Sequence, residues 1–493
     1  MEKTDLAIKI NTADNVAVAL TDISAGTDIM GVTAVTDIPK GHKIALKPIP
    51  KEQNIIKYGY PIGHATEDIA LGVHIHTHNI KTNLKGILDY SYNPELNPAP
   101  TNDRTTFMGY NRPDGTVGIR NEVWIINTVG CVNQIANKIV AKANVVHEGK
   151  TDGFFTFTHQ FGCSQLGDDH KHTQDVLKNL VKHPNAGAVL VLGLGCENNN
   201  IPEFKKVLGK WDDNRVKFLN TQDVEDEVEA GMAIMEELVA YAGQFKREPV
   251  DASKLVVGLK CGGSDGFSGI TANPLVGRLS DMLISHGGTS ILTEVPEMFG
   301  AEQILMNRCV DTSTFDKTVD LINDFKDYFL GHGQEIYENP SPGNKAGGIS
   351  TLEEKSLGCT QKGGYGNVTD VLNYGDRVRK TGLNLLQGPG NDIVAITNLT
   401  AAGAHIVLFT TGRGTPVGGP APTVKISSNA DLASNKKKWI DFDASPLLAD
   451  TTMDELGGQF FNYILDVASG NKQTLNEQNG YREISIFKDG VIL

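Results

Sequence analysis

The middle and last parts of the chain repeat one pattern, in which a short continuous apolar run precedes a polar or helix-like stretch. The runs, in chain order, are VWIINTV, GFFTFTH, GAVLVLGLG, KLVVGLK, SILTEV, DIVAITN and HIVLFTTG. Continuous apolar runs of this length are typical of parallel strands that are buried on both faces of a sheet. Their alternation with helix-like stretches such as FDKTVDLINDFKDYFLG predicts an α/β architecture with right-handed crossovers.

The first part of the chain differs, because its short apolar runs are separated by Gly, Pro and Asp turns. NVAVAL, KIALKPI and NIIKYGYPIG predict a small all-β domain over residues 1–92. The stretch YNPELNPAPTNDRTT, rich in Pro and Asn, predicts a linker over 93–105. REPVDASK then separates a middle α/β domain, 106–250, from a C-terminal Rossmann-like parallel-sheet domain, 251–493. Three domains agree with the two or three expected of a chain of 493 residues.

Charge and hydropathy restrict the partners of the chain. The formal net charge of −14 argues against nucleic acid or an anionic membrane surface as a partner, although one basic pocket can still bind an acidic small molecule. No apolar stretch is long enough to span a bilayer, and the first residues, MEKTDLAIKINTADN, lack the apolar core of a signal peptide. We therefore expect a cytoplasmic protein that acts on a small molecule.

Six cysteines are too few for a disulfide scaffold in a chain of this length, but their settings are informative. Glycine directly precedes four of them and directly follows a fifth: Cys131, Cys163, Cys196 and Cys359, and Cys261. Cys163, Cys196 and Cys261 each follow a predicted strand, where ligands gather in parallel sheets. Three such thiols, with Glu197 as an oxygen ligand, predict bound iron, as one ion or as an iron–sulfur cluster. The alternative is that they are ordinary buried cysteines, and no CxxC spacing is present.

The run GVHIHTHN carries three histidines at alternate positions, which places His74, His76 and His78 on one face of a predicted strand. Neutral imidazoles in such an arrangement bind a divalent metal or transfer protons. The alternative interpretation is the solvated polar face of an edge strand.

Two glycine-rich loops carry isolated cations. In GRGTPVGG, Arg413 can hold a carboxylate through two parallel hydrogen bonds, and in PSPGNKAGG, Lys345 lies in a predicted exposed loop. The alternative is that both cations simply point to solvent. Neither loop matches the phosphate-binding GxxxxGK[ST] pattern, and no strand is followed by a full GxGxxG, so a nicotinamide oxidoreductase remains a remote alternative.

Together these motifs resemble those of the altronate/galactarate dehydratase family, over nearly the whole chain. KGHKIAL, IIKYGYPIG and HIHTHN resemble its small SAF (β-clip) domain. GYNRPDGTVGIRNEVWI, TVGCVN, HQFGCSQLGDDH and KHPNAGAVLVLGLGCENN resemble its middle domain. KCGGSDGFSGITANP, TEVPEMFGAE, ENPSPGNKAGGISTLEEKSLGCTQK, FTTGRGTPVGG and KKKWIDFDA resemble its C-terminal domain. The chain length, QFGCSQLGDDH and ENPSPGNKAGG favour the altronate branch of the family.

The resemblance implies a hydro-lyase that converts D-altronate to 2-dehydro-3-deoxy-D-gluconate in hexuronate breakdown. It implies Fe2+ or Mn2+ as the cofactor and a homodimer that pairs through the middle domain, whereas the iron–sulfur cluster is predicted from the three thiols alone. Galactarate dehydratase is the alternative within the family, and a non-catalytic sugar-acid binding protein is the alternative outside enzymes.

Dehydration next to a carboxylate needs a base for the weakly acidic C2 proton and an electrophile that neutralises the charge developing on the carboxylate. The candidate residues fall into three groups. They are His74, His76, Lys345 and Lys355 for catalysis; Arg413, Thr411, Asn273 and Ser264 for substrate binding; and Cys163, Cys196, Glu197 and Cys261 for the metal.

Overall fold

The computed structural model describes residues 2–98 and 104–493 of the chain. Part of the predicted linker, 99–103, therefore lies outside the described residues. The part before it follows the C-terminal domain, because Glu95 N donates to Asn307 O at 2.7 Å and Asn97 N donates to the side chain of Asn367 at 2.9 Å.

Residues 2–98 form short antiparallel strands and no helix. Five strands pair in the order β1-β2-β3-β6-β9, and β10-β8-β7 and β4-β5 form two smaller sheets. The strands are Glu2–Lys3 (β1), Ala7–Lys9 (β2), Val16–Ala19 (β3), Asp28–Ile29 (β4), Val32–Thr33 (β5), Lys43–Ala45 (β6), Asn54–Lys57 (β7), Tyr60–Ala65 (β8), His74–Ile75 (β9) and Ile80–Lys81 (β10). The predicted small all-β domain is confirmed.

The middle domain is built on a parallel sheet with the strand order β14-β13-β15-β16 and a small antiparallel sheet, β12-β11-β17. Its elements are Thr106–Asn111 (β11), Val117–Gly118 (β12), Glu122–Asn127 (β13), Asn133–Val146 (α1), Phe154–Thr156 (β14), Gly167–Val181 (α2), Ala186–Gly193 (β15), Ile201–Leu208 (α3), Val216–Asn220 (β16), Glu227–Ala242 (α4) and Arg247–Asp251 (β17). The central strand β15 is buried along its whole length, as its continuous apolar run predicts.

The C-terminal domain contains a parallel sheet with the order β20-β21-β19-β18-β22-β23-β24, in which β18 is central. Its elements are Val256–Cys261 (β18), Ala272–Ser285 (α5), Thr289–Leu292 (β19), Glu302–Met306 (α6), Thr312–Gly331 (α7), Pro342–Ala346 (α8), Leu352–Cys359 (α9), Val368–Leu372 (β20), Gly382–Leu386 (β21), Asp392–Ala401 (α10), Ile406–Thr411 (β22), Thr423–Ser427 (β23), Ala430–Asn435 (α11), Phe442–Asp443 (β24), Met453–Ala468 (α12) and Leu475–Asn479 (α13). The α/β architecture with a C-terminal parallel sheet is therefore confirmed.

Two stretches of the chain differ from the secondary structure predicted for them. DIVAITN is not a strand but belongs to the buried helix α10, which Asn391 caps by accepting a hydrogen bond from Val394 N at 3.2 Å. A short continuous apolar run fits a buried helix as well as a buried strand, and the cap decides between them. In GVHIHTHN, strand β9 ends at Ile75 and a turn follows.

The small β domain packs directly onto the C-terminal domain. Its apolar core, which includes Ile55, Ile62 and Ile75, extends into Ala301 and Leu357 of the C-terminal domain. This shared core fixes the position of the β domain on the C-terminal domain. Within the described ranges, no helix combines the length and apolarity that crossing a membrane requires.

Candidate active site

A buried ion-pair network joins the β domain to the C-terminal domain. Glu354 on α9 pairs with Lys43 at 2.8 Å and with Lys57 at 2.7 Å, and all three side chains are almost fully buried. Burial alone would raise the pKa of Glu354, but the two lysine charges outweigh it and hold that pKa below its ordinary value. Burial lowers the pKa of Lys43 to about 8, against the attraction of Glu354. The carboxylate therefore anchors both strands of the β domain.

The interface between the β domain and the C-terminal domain, called the seam below, also contains a cluster of histidines. Nδ1 of His42 and Nε2 of His74 lie 3.0 Å apart, and the rings of His42 and His76 stack with centroids 4.7 Å apart. His78 completes the cluster, with its ring centroid 5.4 Å from that of His74. The predicted histidines thus come together with His42, which the sequence did not identify because it lies alone in KGHKIAL.

Hydrogen bonds to carbonyl oxygens determine which ring nitrogens carry protons. His42 Nε2 lies 3.4 Å from Ala346 O and His76 Nε2 lies 2.9 Å from Lys345 O. A carbonyl oxygen only accepts, so both nitrogens donate, and Nδ1 of neutral His42 accepts from His74 Nε2. Nδ1 of His74 then keeps its lone pair and has no hydrogen-bond partner among the described residues.

The environment keeps these imidazoles neutral. Burial, followed by the neighbouring histidines and Lys43, lowers the pKa of His74 to about 3. Burial and the charge of Lys43 lower the pKa of His76 to about 4. Without a bound ligand, His74 is therefore an unprotonated base throughout the neutral range.

Helix α8 lies between this cluster and Arg413. Lys345 is on α8, and its carbonyl oxygen is the acceptor for His76. The Arg413 side chain passes Gly343 of the same helix, with Cδ and Nε each 3.8 Å from the position that a Cβ of Gly343 would occupy. Arg413 is exposed, and within the described ranges neither its guanidinium nor the Lys345 ammonium forms an ion pair or hydrogen bond. Lys345 therefore lies on the helix that contacts the histidine cluster, and Arg413 lies against the same helix.

The other predicted substrate-binding residues lie at the carboxyl end of the same sheet, where two of them have structural partners. Thr411 Oγ1 accepts from Gly414 N at 2.8 Å, and buried Asn273 accepts from Thr410 Oγ1 at 2.6 Å. Ser264 is also buried, but its hydroxyl has no hydrogen-bond partner among the described residues. Among these three residues of the described part of the chain, Ser264 is the one whose side chain forms no hydrogen bond, and Asn273 keeps its amide nitrogen without a partner.

A buried group of two thiols, a carboxylate and a lysine lies at the carboxyl end of the central strand β18. Cys261 and Cys359 have their sulfurs 3.3 Å apart, and each thiol donates to Glu297 Oε2 at 3.1 Å. Burial lowers the pKa of Lys355, but Glu297 at 2.7 Å outweighs it and raises that pKa above its ordinary value. Lys355 therefore keeps its proton at neutral pH in this arrangement, in which it is suited to donate a proton, and its role as the base stays a prediction.

The predicted convergence of Cys163, Cys196 and Cys261 is not found. In the described part of the chain, Cys261, Glu297 and Cys359 are the His, Cys, Asp or Glu group whose ligand atoms all lie within 4.8 Å of one another. The physical reason is that Cys261 ends a strand of the C-terminal sheet, whereas Cys163 and Cys196 follow strands of the middle sheet. The boundary predicted at REPVDASK already placed these strands in two domains, and a grouping based only on the position after a strand overlooked it.

Glu197 is not available as the predicted metal ligand. Its carboxylate is buried and accepts from Thr128 Oγ1 at 2.6 Å, from Gly195 N at 2.6 Å and from Leu194 N at 3.0 Å. Burial would raise the pKa of Glu197, but these hydrogen bonds lower it below its ordinary value. Glu197 therefore holds the loop that carries Cys196.

A cleft of about 540 Å³ opens at the carboxyl edge of the C-terminal sheet. Asp392, Thr415, Trp439 and Tyr481 are among its lining residues. Thr415 lies two positions after Arg413, so the loop that carries Arg413 also contributes to the wall of this cleft. Its volume falls in the range usual for sites that bind small molecules.

Comparison with known proteins covers all three domains. Residues 5–83 match the family described as Altronate/galactarate dehydratase SAF domain. Residues 109–243 match D-galactarate dehydratase/Altronate hydrolase, second domain, and residues 252–492 match D-galactarate/Altronate dehydratase, C-terminal.

Whole-chain relatives agree with these matches. The chain is 55% identical over 496 residues to altronate dehydratase of Escherichia coli (strain K12), covering 99% of both chains. It is 54% identical over 497 residues to altronate dehydratase of Bacillus subtilis (strain 168), again covering 99% of both. Galactarate dehydratase (L-threo-forming) of Escherichia coli (strain K12) is 34% identical over 519 residues, covering 97% of this chain and 96% of the relative.

Proposed function

The chain belongs to the altronate/galactarate dehydratase family and is a hydro-lyase, and on that premise we propose that it removes water across C2 and C3 of D-altronate. The product is 2-dehydro-3-deoxy-D-gluconate. The choice of altronate over galactarate rests on the identity of 55% to an altronate dehydratase, against 34% to a galactarate dehydratase.

The observation that carries the proposed mechanism is the pairing of an unprotonated base with two uncommitted cations at one seam. Arg413 binds the carboxylate of the substrate, and its planar guanidinium suits two parallel hydrogen bonds to that group. Lys345, on the helix that Arg413 passes, adds a second positive charge. These charges oppose the negative charge that grows on the carboxylate as the C2 proton leaves.

His74 is the base in this mechanism, and Nδ1 is the atom that receives the C2 proton. His42 orients it, because His42 Nδ1 accepts the Nε2 proton of His74 at 3.0 Å. The low pKa of His74 in the free enzyme leaves Nδ1 unprotonated, and the carboxylate of a bound substrate would raise that pKa toward the range useful for catalysis. His76 donates to Lys345 O and so positions α8.

The proposed cofactor is Fe2+ or Mn2+, either as one ion or within an iron–sulfur cluster. Such a group acts as a Lewis acid that neutralises a carboxylate and helps a hydroxyl to leave. The buried group around Glu297 does not fit a cation as it stands. The adjoining Cys261 thiol and burial raise the pKa of the Cys359 thiol well above its ordinary value, and Lys260, Lys355 and Lys362 already neutralise the charge of Glu297. Cys163 and Cys196, which are exposed, fit better.

We also propose that the enzyme works in the cytoplasm as a homodimer that pairs through the middle domain, with the aldonate as its ligand. Support for this comes from the family resemblance of the middle domain and from the net charge of −14, which disfavours nucleic acid and anionic membranes. Light scattering of the purified full-length chain measures the oligomeric state, and a monomeric mass would contradict the dimer.

The test of function is release of 2-keto acid from D-altronate and from galactarate by the full-length protein, loaded with iron under anaerobic conditions. We expect altronate to be the preferred substrate by kcat/KM. Preferred turnover of galactarate would replace the proposed substrate. A protein that binds aldonates but releases no keto acid from either would support the binding-protein alternative.

A further inference from the structure

The topology of the middle domain brings a third cysteine beside Cys163 and Cys196. Cys131 lies in a short 3₁₀ helix directly after β13, Cys163 follows β14, and Cys196 follows β15. These strands are adjacent and parallel, with β13 in the centre, so all three cysteines lie at one edge of the sheet. Strands are spaced about 4.8 Å apart, which puts the two outer strands about 10 Å from each other.

Hydrogen bonds tie the three cysteine loops together. Gly130 N donates to Phe161 O at 2.9 Å, which joins the Cys131 loop to the Cys163 loop. Asn199 N donates to Gly162 O at 2.9 Å, which joins the Cys196 loop to the Cys163 loop. Ser164 N also donates to the side chain of Asn198 at 2.9 Å. The loops therefore form one unit.

The glycine before each cysteine is required by this close packing. A Cβ on Gly162 would lie 2.0 Å from Thr128 O, and a Cβ on Gly130 would lie 2.6 Å from His159 O. A Cβ on Gly195 would lie 2.7 Å from the Gln222 side chain, and Gly162 and Gly195 also have φ of +100° and +129°. The three Gly-Cys pairs thus give the loops a defined and unusually close arrangement.

The three thiols differ from the other cysteines in their exposure. Cys131, Cys163 and Cys196 are free and exposed, whereas Cys261, Cys309 and Cys359 are buried. Nearby, Gln165 is 3% exposed and its Nε2 has no hydrogen-bond partner among the described residues. Its Oε1 accepts from Gly162 N at 3.1 Å, so the unsatisfied donor belongs to a side chain bound to the Cys163 loop.

The spacing of the thiols favours a cluster over a single ion. Two sulfurs on one tetrahedral ion, at about 2.3 Å each, lie about 4 Å apart. In the described part of the chain, these three sulfurs are not all within 4.8 Å of one another, so one ion does not reach them without movement of the loops. A cluster with several irons holds its thiolates farther apart, and thiolates are the usual ligands of iron–sulfur clusters.

We propose that Cys131, Cys163 and Cys196 hold a [4Fe–4S] cluster through three thiolates, which leaves one iron without a cysteine ligand. Each thiol loses its proton when it binds iron. A role for the open iron in dehydration rests on the proposed function, but retention of the cluster does not. Cys131 replaces Cys261 in the predicted ligand set. Glu197 is not a ligand in this proposal, and its hydrogen bonds hold the loop that carries Cys196.

The C-terminal tail lies between this site and the cleft of about 540 Å³ at the edge of the C-terminal sheet. A second cleft of about 460 Å³ is lined by Asn133, His159 and Phe161, which flank Cys131 and Cys163 in sequence, and by Ile484 and Ser485 of the tail. Tyr481 and Glu483 of the same tail line the cleft to which Thr415 contributes. The tail therefore lines both clefts, with Tyr481 and Glu483 in one and Ile484 and Ser485 in the other.

The test measures iron, acid-labile sulfide and visible absorption in the full-length protein after anaerobic purification or reconstitution. We expect about as much sulfide as iron in the wild type, and loss of both in Cys131→Ser, Cys163→Ser and Cys196→Ser. Cys309→Ser is the matched control and should retain both, because Cys309 is buried against Thr318 in the C-terminal domain. Retention of iron and sulfide by Cys131→Ser would overturn the assignment, as would their loss from Cys261→Ser alone.

Thiol alkylation of the wild type keeps the proposal testable if a variant does not fold. The loaded protein should protect Cys131, Cys163 and Cys196 from alkylation, and stripping the iron should make all three reactive. Equal reactivity before and after stripping would contradict the site. A protein that dehydrates altronate without iron or sulfide would overturn the cluster but support the proposed function. A protein that holds the cluster but does not dehydrate altronate would support the cluster and overturn the proposed function.

Discussion

Lys43 of the small β domain and Glu354 of the C-terminal domain form an ion pair of 2.8 Å in which the side chains are 0% and 1% exposed. The Lys43 ammonium also donates to Gly348 O at 2.8 Å, just after the helix that carries Lys345. This pair therefore connects the strand next to His42 with the segment that follows α8. Its geometry explains why the histidine cluster and the helix that carries Lys345 stay together.

We predict that Glu354→Gln destabilises the protein by about 3–5 kcal/mol, because it leaves Lys43 and Lys57 buried without their counter-charge. Urea denaturation followed by circular dichroism measures the change in the free energy of unfolding. The matched control is Asp431→Asn, which breaks a second pair between the two domains, Lys40 to Asp431 at 2.5 Å. That pair is exposed, so the control should change stability by no more than about 1 kcal/mol. Equal effects of the two substitutions would contradict the anchoring role of Glu354.

Arg413→Ala should lower kcat/KM for altronate by about 10- to 100-fold, which corresponds to the loss of a charged hydrogen-bonding partner of the carboxylate. Thermal stability should stay unchanged, because the side chain is exposed and has no ion pair within the described ranges. The keto-acid assay and a melting curve test both parts. Arg278→Ala is the control, since Arg278 is also exposed in part but pairs with Asp454 away from the seam. Unchanged kcat/KM in Arg413→Ala would remove Arg413 from the site.

The sequence predicted the architecture because periodicity and turn residues are local signals. The continuous apolar runs around Val191 and Leu259 have the burial that they predict. The prediction of a strand at DIVAITN was wrong because buried helices and buried strands share its apolar pattern. The Asn391 cap and the packing of the segment make it a helix. The spacing of His74, His76 and His78 also predicted a cluster, although the strand ends at Ile75.

Several residues of the site could not be predicted, because their neighbours are distant in sequence. Cys359 is 98 positions from Cys261, and Glu354 is 311 positions from Lys43. The grouping of Cys163 with Cys261 failed because it joined strand ends from two domains that the predicted boundary at REPVDASK had already separated. The glycine before Cys131 was the available signal for its role, and it became interpretable only with the strand order β14-β13-β15.

Stability should fall as the pH decreases from 7 toward 4, because buried histidines are held neutral in the folded state. His183 Nε2 donates to Ala404 O at 3.1 Å and its Nδ1 accepts from Asn185 N at 3.2 Å, so a second proton would break a hydrogen bond. Burial lowers the pKa of His183 well below its ordinary value and that of His405 to about 4. Below about pH 6.5 the unfolded chain then binds more protons than the folded one, which lowers the free energy of unfolding.

Urea denaturation at pH 7 and at pH 5 measures this dependence, and a higher free energy of unfolding at pH 5 would contradict it. His64→Gln gives a control, because His64 lies at the edge of the β domain with its Nδ1 bonded to Asn83. The pH dependence of this variant should match that of the wild type.

Removal of metal should abolish turnover while the fold persists. We expect exhaustive chelation under anaerobic conditions to reduce keto-acid release at least tenfold, because the charge growing on the carboxylate then lacks its electrophile. Fe2+ or Mn2+, with sulfide if a cluster is required, should restore it. Circular dichroism before and after chelation separates loss of the cofactor from unfolding. Full turnover after chelation would contradict the metal requirement.

The most direct test of the seam as the place of reaction is kcat on D-altronate for His74→Gln. Glutamine keeps a polar side chain but cannot accept the C2 proton as a base, so kcat should fall roughly 100- to 10,000-fold with little change in KM. The variant should keep the melting temperature and the iron content of the wild type. A kcat equal to that of the wild type, in a variant that is folded and loaded, would contradict the assignment of His74 as the base and the location of the active site with it.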